Sequence, residues 1–294
     1  MCSQGEIRID FGGNATGSVE FGDFKWTATE NTECSSITPK ERCTVLTCEP
    51  LDESPYLIWN CLAKGIFVAG RGTKQAMFHR WNRHFDAGNT NVHLHQSKDS
   101  FEEAMKGLYF KHGLIHIRIV ESLVADLSKP NNPLIEDPPD AVDVKIGDQE
   151  IWVSKMVLEC HSPFFRELFK KEAKMRFQEM EQLEDVKTNE FTHFLAMIHE
   201  VRMPIDKYSV EYLLKLGDLF KSKTVLHRCE EFLLTAGAKD IPLAKKFRLA
   251  NRFGLKKLLL ETVDKMSFDE LTSLPRSEFS LLALELVMQK MASY

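Results

Sequence analysis

The stretch DVKIGDQEIWVSKMVLECHSPFFRELF, residues 143–169, decides the fold of the second half of the chain. It alternates apolar and polar residues, reverses at Gly147-Asp148 and alternates again, which predicts two antiparallel strands joined by a two-residue turn. Ser162 and Pro163 follow, and this pair is typical of a helix start, with Ser as the N-cap and Pro as the first helical residue. We therefore expect a compact unit of strand, turn, strand and helix.

The residues that follow this unit are predicted to be mainly helical. A short strand-like piece, EQLEDV at 181–186, precedes three segments whose apolar residues recur at the spacing of an amphipathic helix. Further helical segments start at 241, and Ser267 with Glu270 fits a capping box in one of them. The last segment, 277–291, is apolar nearly all round, so we expect it to be well buried or docked on a partner.

The first 125 residues have the texture of a β domain. Residues 1–18, rich in Gly, Asn and Ser, are expected to be a flexible tail. From 19 to 125, alternating, β-branched and aromatic runs lie between turn signals, which predicts an antiparallel β-sandwich. One helical segment, SKDSFEEAMKGL at 97–108, is expected to interrupt the strands.

A proline-rich linker separates the two halves. Residues 126–140 contain four prolines and two adjacent asparagines, and proline supplies no backbone donor to a ladder or a helix. We therefore expect an α+β multidomain chain: the tail, the sandwich, this linker, an α+β domain at 141–236 and a helical extension at 237–294.

Composition narrows the class of protein. The chain has 294 residues and a net charge of −5, and no apolar run approaches the roughly 18 residues of a membrane span. Seven cysteines without a CxxC pair, in a sequence that starts with no apolar signal core, predict reduced thiols in the cytoplasm or nucleus. Neither nucleic acid nor a membrane is expected as a partner. The basic residues within 245–257 are expected to form a solvated helix face, and the alternative is that they bind an acidic partner.

The histidines offer one candidate metal site. His79 and His84 lie in FHRWNRHF, while His93 and His95 form a His-x-His pair whose rings point to one face of a strand. Zinc is therefore geometrically possible, but no Cys or carboxylate pattern completes a tetrahedral set. We favour strand residues that face the surface, and expect no metal and no cofactor.

The cysteines and glycines do not predict an enzyme. Cys160 and His161 are neighbours whose side chains point apart, whereas a nucleophile and its base must share a hydrogen bond. Cys160 and Cys229 are expected to be buried structural thiols. The Gly-x-Gly of AGRGTK, at 69–74, is expected to be a β-turn, since the third glycine of a phosphate loop is missing.

The opening stretch and its surroundings resemble a BTB (POZ) domain over about residues 141–236. The resemblance also includes LEDV and the paired helical segments of YLLKLGDLFKSKTVLHRCEEFL. The version with Val-Ser-Lys and His-Ser-Pro is similar to the nematode-expanded branch of the family, and the helices beyond 239 are placed like BACK or 3-box helices. The pattern that carries the resemblance consists of Lys155, Leu158, Ser162, Pro163, Phe164, Phe165, Leu168 and Phe169.

Two residues are implied at a dimer interface by this resemblance. In BTB proteins a large apolar face forms a homodimer, and a buried Asp and a basic residue lie near it. Asp143 and Lys155 match those positions. The alternative is that Asp143 merely opens a strand and Lys155 is exposed.

The resemblance also implies binding to cullin-3, which would make the chain a substrate adaptor of a ubiquitin ligase. The family's cullin-facing loop usually holds a hydrophobic residue, any residue and then Glu. Here these positions fall on Ala173, Lys174 and Met175, so both the apolar anchor and the acid are changed. Met175 or Phe177 could supply an alternative apolar contact.

The N-terminal β region resembles a divergent MATH domain, the sandwich that precedes BTB in adaptors that capture peptide segments of protein partners. The resemblance rests on FGDFKW and YLIWNC, although Phe24, Trp26 and Trp59 fit core aromatics equally well; Trp81 is also expected in the core. We expect a non-enzymatic, homodimeric adaptor for cullin-3 with an unknown protein substrate. The alternative is a BTB scaffold or transcription-associated interaction protein without ligase function.

Overall fold

The computed structural model describes residues 3–10, 16–31, 43–70, 76–94, 112–146, 149–170, 186–275 and 279–292. These residues form two compact units, one ending at Asp126 and the other starting at Leu127. The predicted helical segment at 97–108, the turn after Gly70 and the strand-like piece up to 185 lie outside the described residues.

The first unit consists of two antiparallel sheets of four strands. One sheet has the order β1-β8-β5-β6 and the other the order β2-β3-β4-β7. The predicted N-terminal antiparallel β architecture is confirmed. The strands are β1 (Gln4–Asp10), β2 (Thr16–Phe21), β3 (Phe24–Asn31), β4 (Cys43–Pro50), β5 (Leu57–Gly70), β6 (Ala76–Asp86), β7 (Asn91–Leu94) and β8 (His112–Asp126).

The two sheets share one apolar core, to which both contribute inward-facing side chains. Trp26 of β3 packs edge-on against Phe85 of β6, with ring centroids 5.4 Å apart. Trp59 and Trp81 are also buried, so the expectation that the tryptophans belong to the core is confirmed. The hairpin between β2 and β3 turns at Gly22 and Asp23, both with positive φ, as the two-residue turn of a right-twisted hairpin requires.

The prediction of a flexible tail at 1–18 was wrong. Residues 4–10 pair antiparallel with residues 112–118 at the far end of the unit, and Ile7 and Ile9 are buried in the core. An alternating pattern of five residues near the terminus is too short to be distinguished from a polar tail. It is recognised as a strand only from its partner strand, which lies about a hundred residues later in the sequence.

The second unit contains a two-stranded antiparallel sheet, β9 (Ala141–Ile146) and β10 (Gln149–Ser154), followed by helices. The predicted combination of strands and a helical C-terminal region is confirmed. The helices are α1 (Lys155–His161), α2 (Pro163–Lys170), α3 (Thr188–Ile198), α4 (Ser209–Leu219), α5 (Lys223–Leu234), α6 (Leu243–Phe253), α7 (Lys256–Lys265), α8 (Phe268–Ser273) and α9 (Leu281–Ala292).

The first helix starts earlier than the sequence pattern indicates. Ser154 ends β10 and its side chain accepts a hydrogen bond from the Val157 amide, so α1 begins at Lys155. Ser162 then separates helix α1 from helix α2. Its hydroxyl accepts from the Phe165 amide, as predicted for an N-cap, and donates to the Phe220 carbonyl at 2.7 Å.

The proline-rich segment from Leu127 onward is part of the second unit and packs against its small sheet. Leu127, Asn132 and Ile135 are buried, and the Leu127 carbonyl accepts a 2.7 Å hydrogen bond from the Trp152 amide of β10. The Asn132 side-chain amide donates to the Trp152 carbonyl at 3.1 Å. This segment therefore covers the outer edge of β10 at Trp152.

The last helices carry one predicted cap and one exposed apolar face. Ser267 and Glu270 form the predicted capping box at the start of α8. Helix α9 buries Ala283 and Val287, whereas Leu281 is 87% and Met288 69% exposed. These two side chains are not buried within the chain, so for them the other expectation, docking on a partner, stays a prediction.

Candidate functional site

An exposed surface lies on the unit formed by strands β9 and β10 and helix α1. Asp143 and Lys145 of β9 are exposed, and so are three residues of α1: Lys155, Met156 and Cys160. Met156 exposes 66% of its side chain. We call this set, Asp143, Lys145, Lys155, Met156 and Cys160, the β9–α1 surface.

Helix α1 is held at its amino end by two side chains. Asp140 accepts a 2.8 Å hydrogen bond from the Met156 amide and a further one from the Ser154 hydroxyl. Ser154 in turn accepts from the Val157 amide at 3.1 Å. Because the first amides of a helix have no partner within it, these acceptors fix the start of α1 and the direction in which Met156 points.

The two residues that the resemblance assigns to a dimer interface are both exposed in the single chain. Asp143 lies on β9 opposite Trp152, and Lys155 is the first residue of α1. The structure does not join them in an ion pair. The Lys155 ammonium instead lies 3.8 Å from the Glu159 carboxylate and 5.9 Å from the centroid of the Phe169 ring.

A cluster of buried aromatic rings supports the helices behind this surface. Phe165 of α2 lies 4.9 Å from Phe220, and Phe194 of α3 lies at the same centroid distance from that ring. Phe191 contacts all three. Such rings bury large apolar areas, so the surface rests on a rigid base.

The candidate cullin segment follows α2, which ends at Lys170. Ala173, Lys174, Met175 and Phe177 lie outside the described residues.

A buried polar pair joins two helices of the second unit. The Nδ1 atom of His193 in α3 lies 2.7 Å from the Tyr212 hydroxyl in α4. Burial lowers the pKa of His193 and raises the pKa of Tyr212 to about 12, so both groups are neutral near pH 7. We interpret this pair as a structural contact between α3 and α4.

The candidate chemical groups are dispersed. His93 is exposed on β7, His79 and His84 are partly buried on β6, and His95 lies outside the described residues. Among the residues that the structure describes, no three His, Cys, Asp or Glu side chains are grouped as a metal site.

Cys229 is buried, as predicted, and burial raises its pKa to about 12. The prediction for Cys160 was wrong, because this thiol is exposed. It lies on the outer side of α1, a helix that the sequence analysis had treated as the end of a strand.

Two residues that position helices were not predicted from the sequence. Asp140 lies in the proline-rich segment, where nothing local marks it as the partner of a helix sixteen residues later. Glu230 lies in α5 and is buried although it carries a carboxylate. A charged residue on the apolar side of a predicted helix was the available signal for Glu230.

The match to a known family falls on this second unit. Residues 137–236 match the family model for the BTB/POZ domain. This segment is a BTB/POZ domain. Strands β9 and β10, helix α1 and the β9–α1 surface all belong to it.

The chain is also similar to two proteins of Caenorhabditis elegans. BTB and MATH domain-containing protein 38 is 36% identical over 113 residues, which are 38% of this chain and 29% of that protein. BTB and MATH domain-containing protein 15 is 25% identical over 122 residues, 42% of this chain and 44% of that protein. The chain thus spans less than half the length of either relative, and the resemblance to a BTB protein is confirmed.

No helix in the described ranges combines the length and the apolar character needed to cross a bilayer.

Proposed function

We propose that this chain is a non-enzymatic protein-interaction adaptor that homodimerises through its BTB domain. The observation that carries the proposal is the BTB match at 137–236, in a structure whose first two elements of that domain present an exposed β9–α1 surface. We place the protein in the cytoplasm, the nucleus or both.

The open edge of the small sheet supports self-association. The outer edge of β10 is covered at Trp152 by Leu127 and Asn132, while β9 pairs only with β10 in the described part of the chain. An uncovered strand edge offers backbone donors and acceptors to another chain. A second copy placed against β9 and α1 would cover Met156 and bring Asp143 and Lys155 into the interface.

The N-terminal unit is proposed to be a MATH-like domain that captures a protein substrate. Its support is the sandwich itself, together with the words BTB and MATH in the names of both relatives. The helices that follow the BTB domain are proposed to be BACK-like or 3-box-like.

Recruitment of cullin-3 is proposed as the output of the adaptor. The contact would involve the segment with Ala173, Met175 and Phe177, which follows α2. The changed motif favours a second candidate function, a BTB scaffold or transcription-associated interaction protein without a ligase role. We propose no role for nucleic acid, for a membrane or for a cofactor in either function.

The test combines two measurements on the full chain. Molecular mass by light scattering reports the dimer, and calorimetry reports binding of the N-terminal region of cullin-3. A dimer that binds with micromolar affinity or better, and whose affinity changes with Met175→Glu but not with Met288→Glu on α9, supports the ligase adaptor. A dimer without binding leaves the scaffold, and a monomer at all concentrations contradicts both.

A further inference from the structure

Three rows of outward-facing side chains cross the four strands of the β1-β8-β5-β6 sheet. The strand register places the members of each row side by side. The first row is Gln4, Arg118, Lys64 and Asn82; the second is Glu6, His116, Ile66 and Arg80; the third is Arg8, Leu114, Val68 and Phe78.

A trough of about 890 Å³ runs between the first and second rows. Its floor is backbone, because the residues between the rows turn their side chains toward the core. Ile117 and Trp81, two of these residues, are buried. The trough is therefore a surface depression of the sheet with polar walls, and an extended chain that follows the strand direction would cross it close to the backbone.

The walls of the trough carry cations that form no ion pair with an acidic residue in the part of the chain that the structure describes. Arg118 and Lys64 are exposed and lie directly opposite each other on β8 and β5. Like charges in that arrangement destabilise a sheet. Within the described ranges neither residue forms an ion pair, and neither does Arg80, which lies across the trough.

The one carboxylate of the trough is already engaged. Glu6 lies 2.8 Å from the His116 ring nitrogen in the same row. The trough thus holds three cations, Arg118, Lys64 and Arg80, against this one carboxylate, which is an excess of positive charge. An anionic ligand would relieve the repulsion between the opposed pair.

The third row adds an apolar contact area beside the trough. Phe78 is 72% exposed and lies opposite Val68, and Ile66 in the second row is 37% exposed. Rows on one face of a sheet are about 6.7 Å apart, so the first and third rows are separated by about 13 Å. Residues i and i+4 of an extended peptide have the same separation.

We propose that this sheet face binds an extended protein segment in which an acidic residue and an apolar residue are four positions apart. The carboxylate contacts Arg118 and Lys64, and the apolar side chain packs on Phe78 and Val68. The proposal rests on the proposed function of the N-terminal unit as the part that captures a protein, and places the contact on a sheet face instead of a strand edge.

Other polyanions fit the face less well. Nucleic acid is bound mainly through many phosphate contacts. This face offers four cations, one of which, Arg8, lies at the end of the third row, beside an apolar contact area. The protein as a whole is also acidic, with a net charge of −5, so a long polyanion would be repelled outside the face. A short segment that combines carboxylates with one large apolar residue matches both parts.

The test measures fluorescence anisotropy of a labelled peptide with the full chain. The probe has two adjacent Glu residues, a Phe four positions before the first and a Phe four positions after the second, with Ser spacers. One control peptide carries Gln in place of Glu, a second carries Ser in place of Phe, and a single-stranded RNA decamer is the third. We expect saturable binding of the probe that weakens as salt is raised.

Variants locate the binding on the face. Lys64→Gln combined with Arg118→Gln is expected to weaken binding at least about tenfold, because both charged contacts are lost. Phe78→Ala tests the apolar contact, and Lys25→Gln, on the exposed side of the other sheet, is the matched control. Melting temperatures of all variants verify the fold; removal of the opposed charges should not lower them.

Three outcomes overturn the inference: no binding of the probe, equal binding by the double variant, or tighter binding of the RNA. Loss of binding in the double variant but not in Lys25→Gln supports it. The dimer and cullin-3 measurements use the other unit, so their failure is distinguishable from failure here.

Discussion

The side chain of Glu230 accepts a 2.8 Å hydrogen bond from the backbone amide of Lys257. The same carboxylate oxygen accepts a second bond, of 3.1 Å, from the Leu258 amide. Glu230 lies in α5 of the BTB domain, and the two amides belong to the first turn of α7. A carboxylate near the amino end of a helix satisfies unpaired amides and interacts favourably with the helix dipole. This contact joins the BTB domain to the helices that follow it.

Replacement of Glu230 should loosen that junction. We expect Glu230→Ala to lower the free energy of unfolding by about 1–3 kcal/mol, because buried amides lose a charged acceptor. Urea denaturation of the full chain measures the loss. Glu231→Ala is the matched control, since Glu231 is exposed and contacts only His227 among the ion pairs described. Equal stability of the two variants would contradict the role given to Glu230.

Removal of the Asp140 carboxylate should affect the β9–α1 surface. Asp140→Ala takes an acceptor from the Met156 amide and from the Ser154 hydroxyl. Loss of the cap lowers the free energy of unfolding by about 1 kcal/mol. Because α1 is then less well positioned, we expect the proposed dimer to dissociate at a higher protein concentration than the wild-type dimer does. Light scattering over a dilution series measures the dimer.

The control for this prediction is Asp137→Ala. Asp137 is exposed and uses its backbone carbonyl, which the substitution retains, to accept from the Asp140 amide. If Asp137→Ala weakens the dimer as much as Asp140→Ala, the cap of α1 is not the cause.

The exposed thiol of Cys160 should report on the proposed interface. Iodoacetamide is expected to modify Cys160 in the native chain, while Cys48, Cys61 and Cys229 react only after unfolding, since they are buried. Burial also raises the pKa of the Cys229 thiol to about 12, which lowers its thiolate fraction. Mass spectrometry after a short exposure identifies the modified residues.

The rate of this modification should depend on protein concentration. If a second copy covers α1, Cys160 reacts more slowly in the dimer than after dilution to the monomer. Met156→Asp, placed one turn before Cys160, should abolish the difference. A rate that does not vary with concentration in a proven dimer would place the interface elsewhere.

Acid should destabilise the second unit through two histidines, the partly buried His199 and the buried His193. Burial, with a smaller contribution from the nearby His161, lowers the pKa of His199 to about 4. Between pH 6.5 and 4 the unfolded chain binds a proton at this position and the folded chain does not. The contribution of this residue to the free energy of unfolding is therefore complete above pH 6.5 and decreases as the pH falls. Burial lowers the pKa of His193 as well, which acts in the same direction.

Substitution of His199 isolates its share of this pH dependence. Between pH 6.5 and pH 4.5 the free energy of unfolding should fall in both proteins. We expect the fall to be about 1–2 kcal/mol smaller in His199→Gln than in the wild type, a value that allows for the partial exposure of the ring. Urea midpoints at both pH values provide the comparison. An unchanged difference would mean that His199 is protonated in the folded protein.

The sequence correctly predicted the elements whose local pattern reflects the contacts that they make in the folded protein. The alternation of Trp26 and Ala28, or of Ile115 and Ile117, reflects which side of a strand meets the core, and each pattern was long enough to show it. Ser162 and the Ser267–Glu270 pair were predictable because a helix cap involves residues only three apart.

Predictions were wrong where a distant residue decides the structure. Ile7 is buried by a strand that begins more than a hundred residues later, and the start of α1 depends on Asp140 from the preceding segment. Because the predicted helix began too late, Cys160 was assigned to the residues before it and was predicted to be buried. Asp143 and Lys155 remain predictions for the site, because an interface between copies is defined by the second copy.

The covering of β10 by Leu127 and Asn132 also limits how large an assembly can become. A sheet with two open edges can add chains at both sides and grow into a fibre, whereas this sheet has one edge blocked at Trp152. Edge-to-edge pairing through β9 uses the same strand of each copy and therefore closes on a twofold axis. In the proposed dimer the proline-rich segment would therefore prevent further chains from adding at β10, and a chain that lacked it is expected to expose a second strand edge.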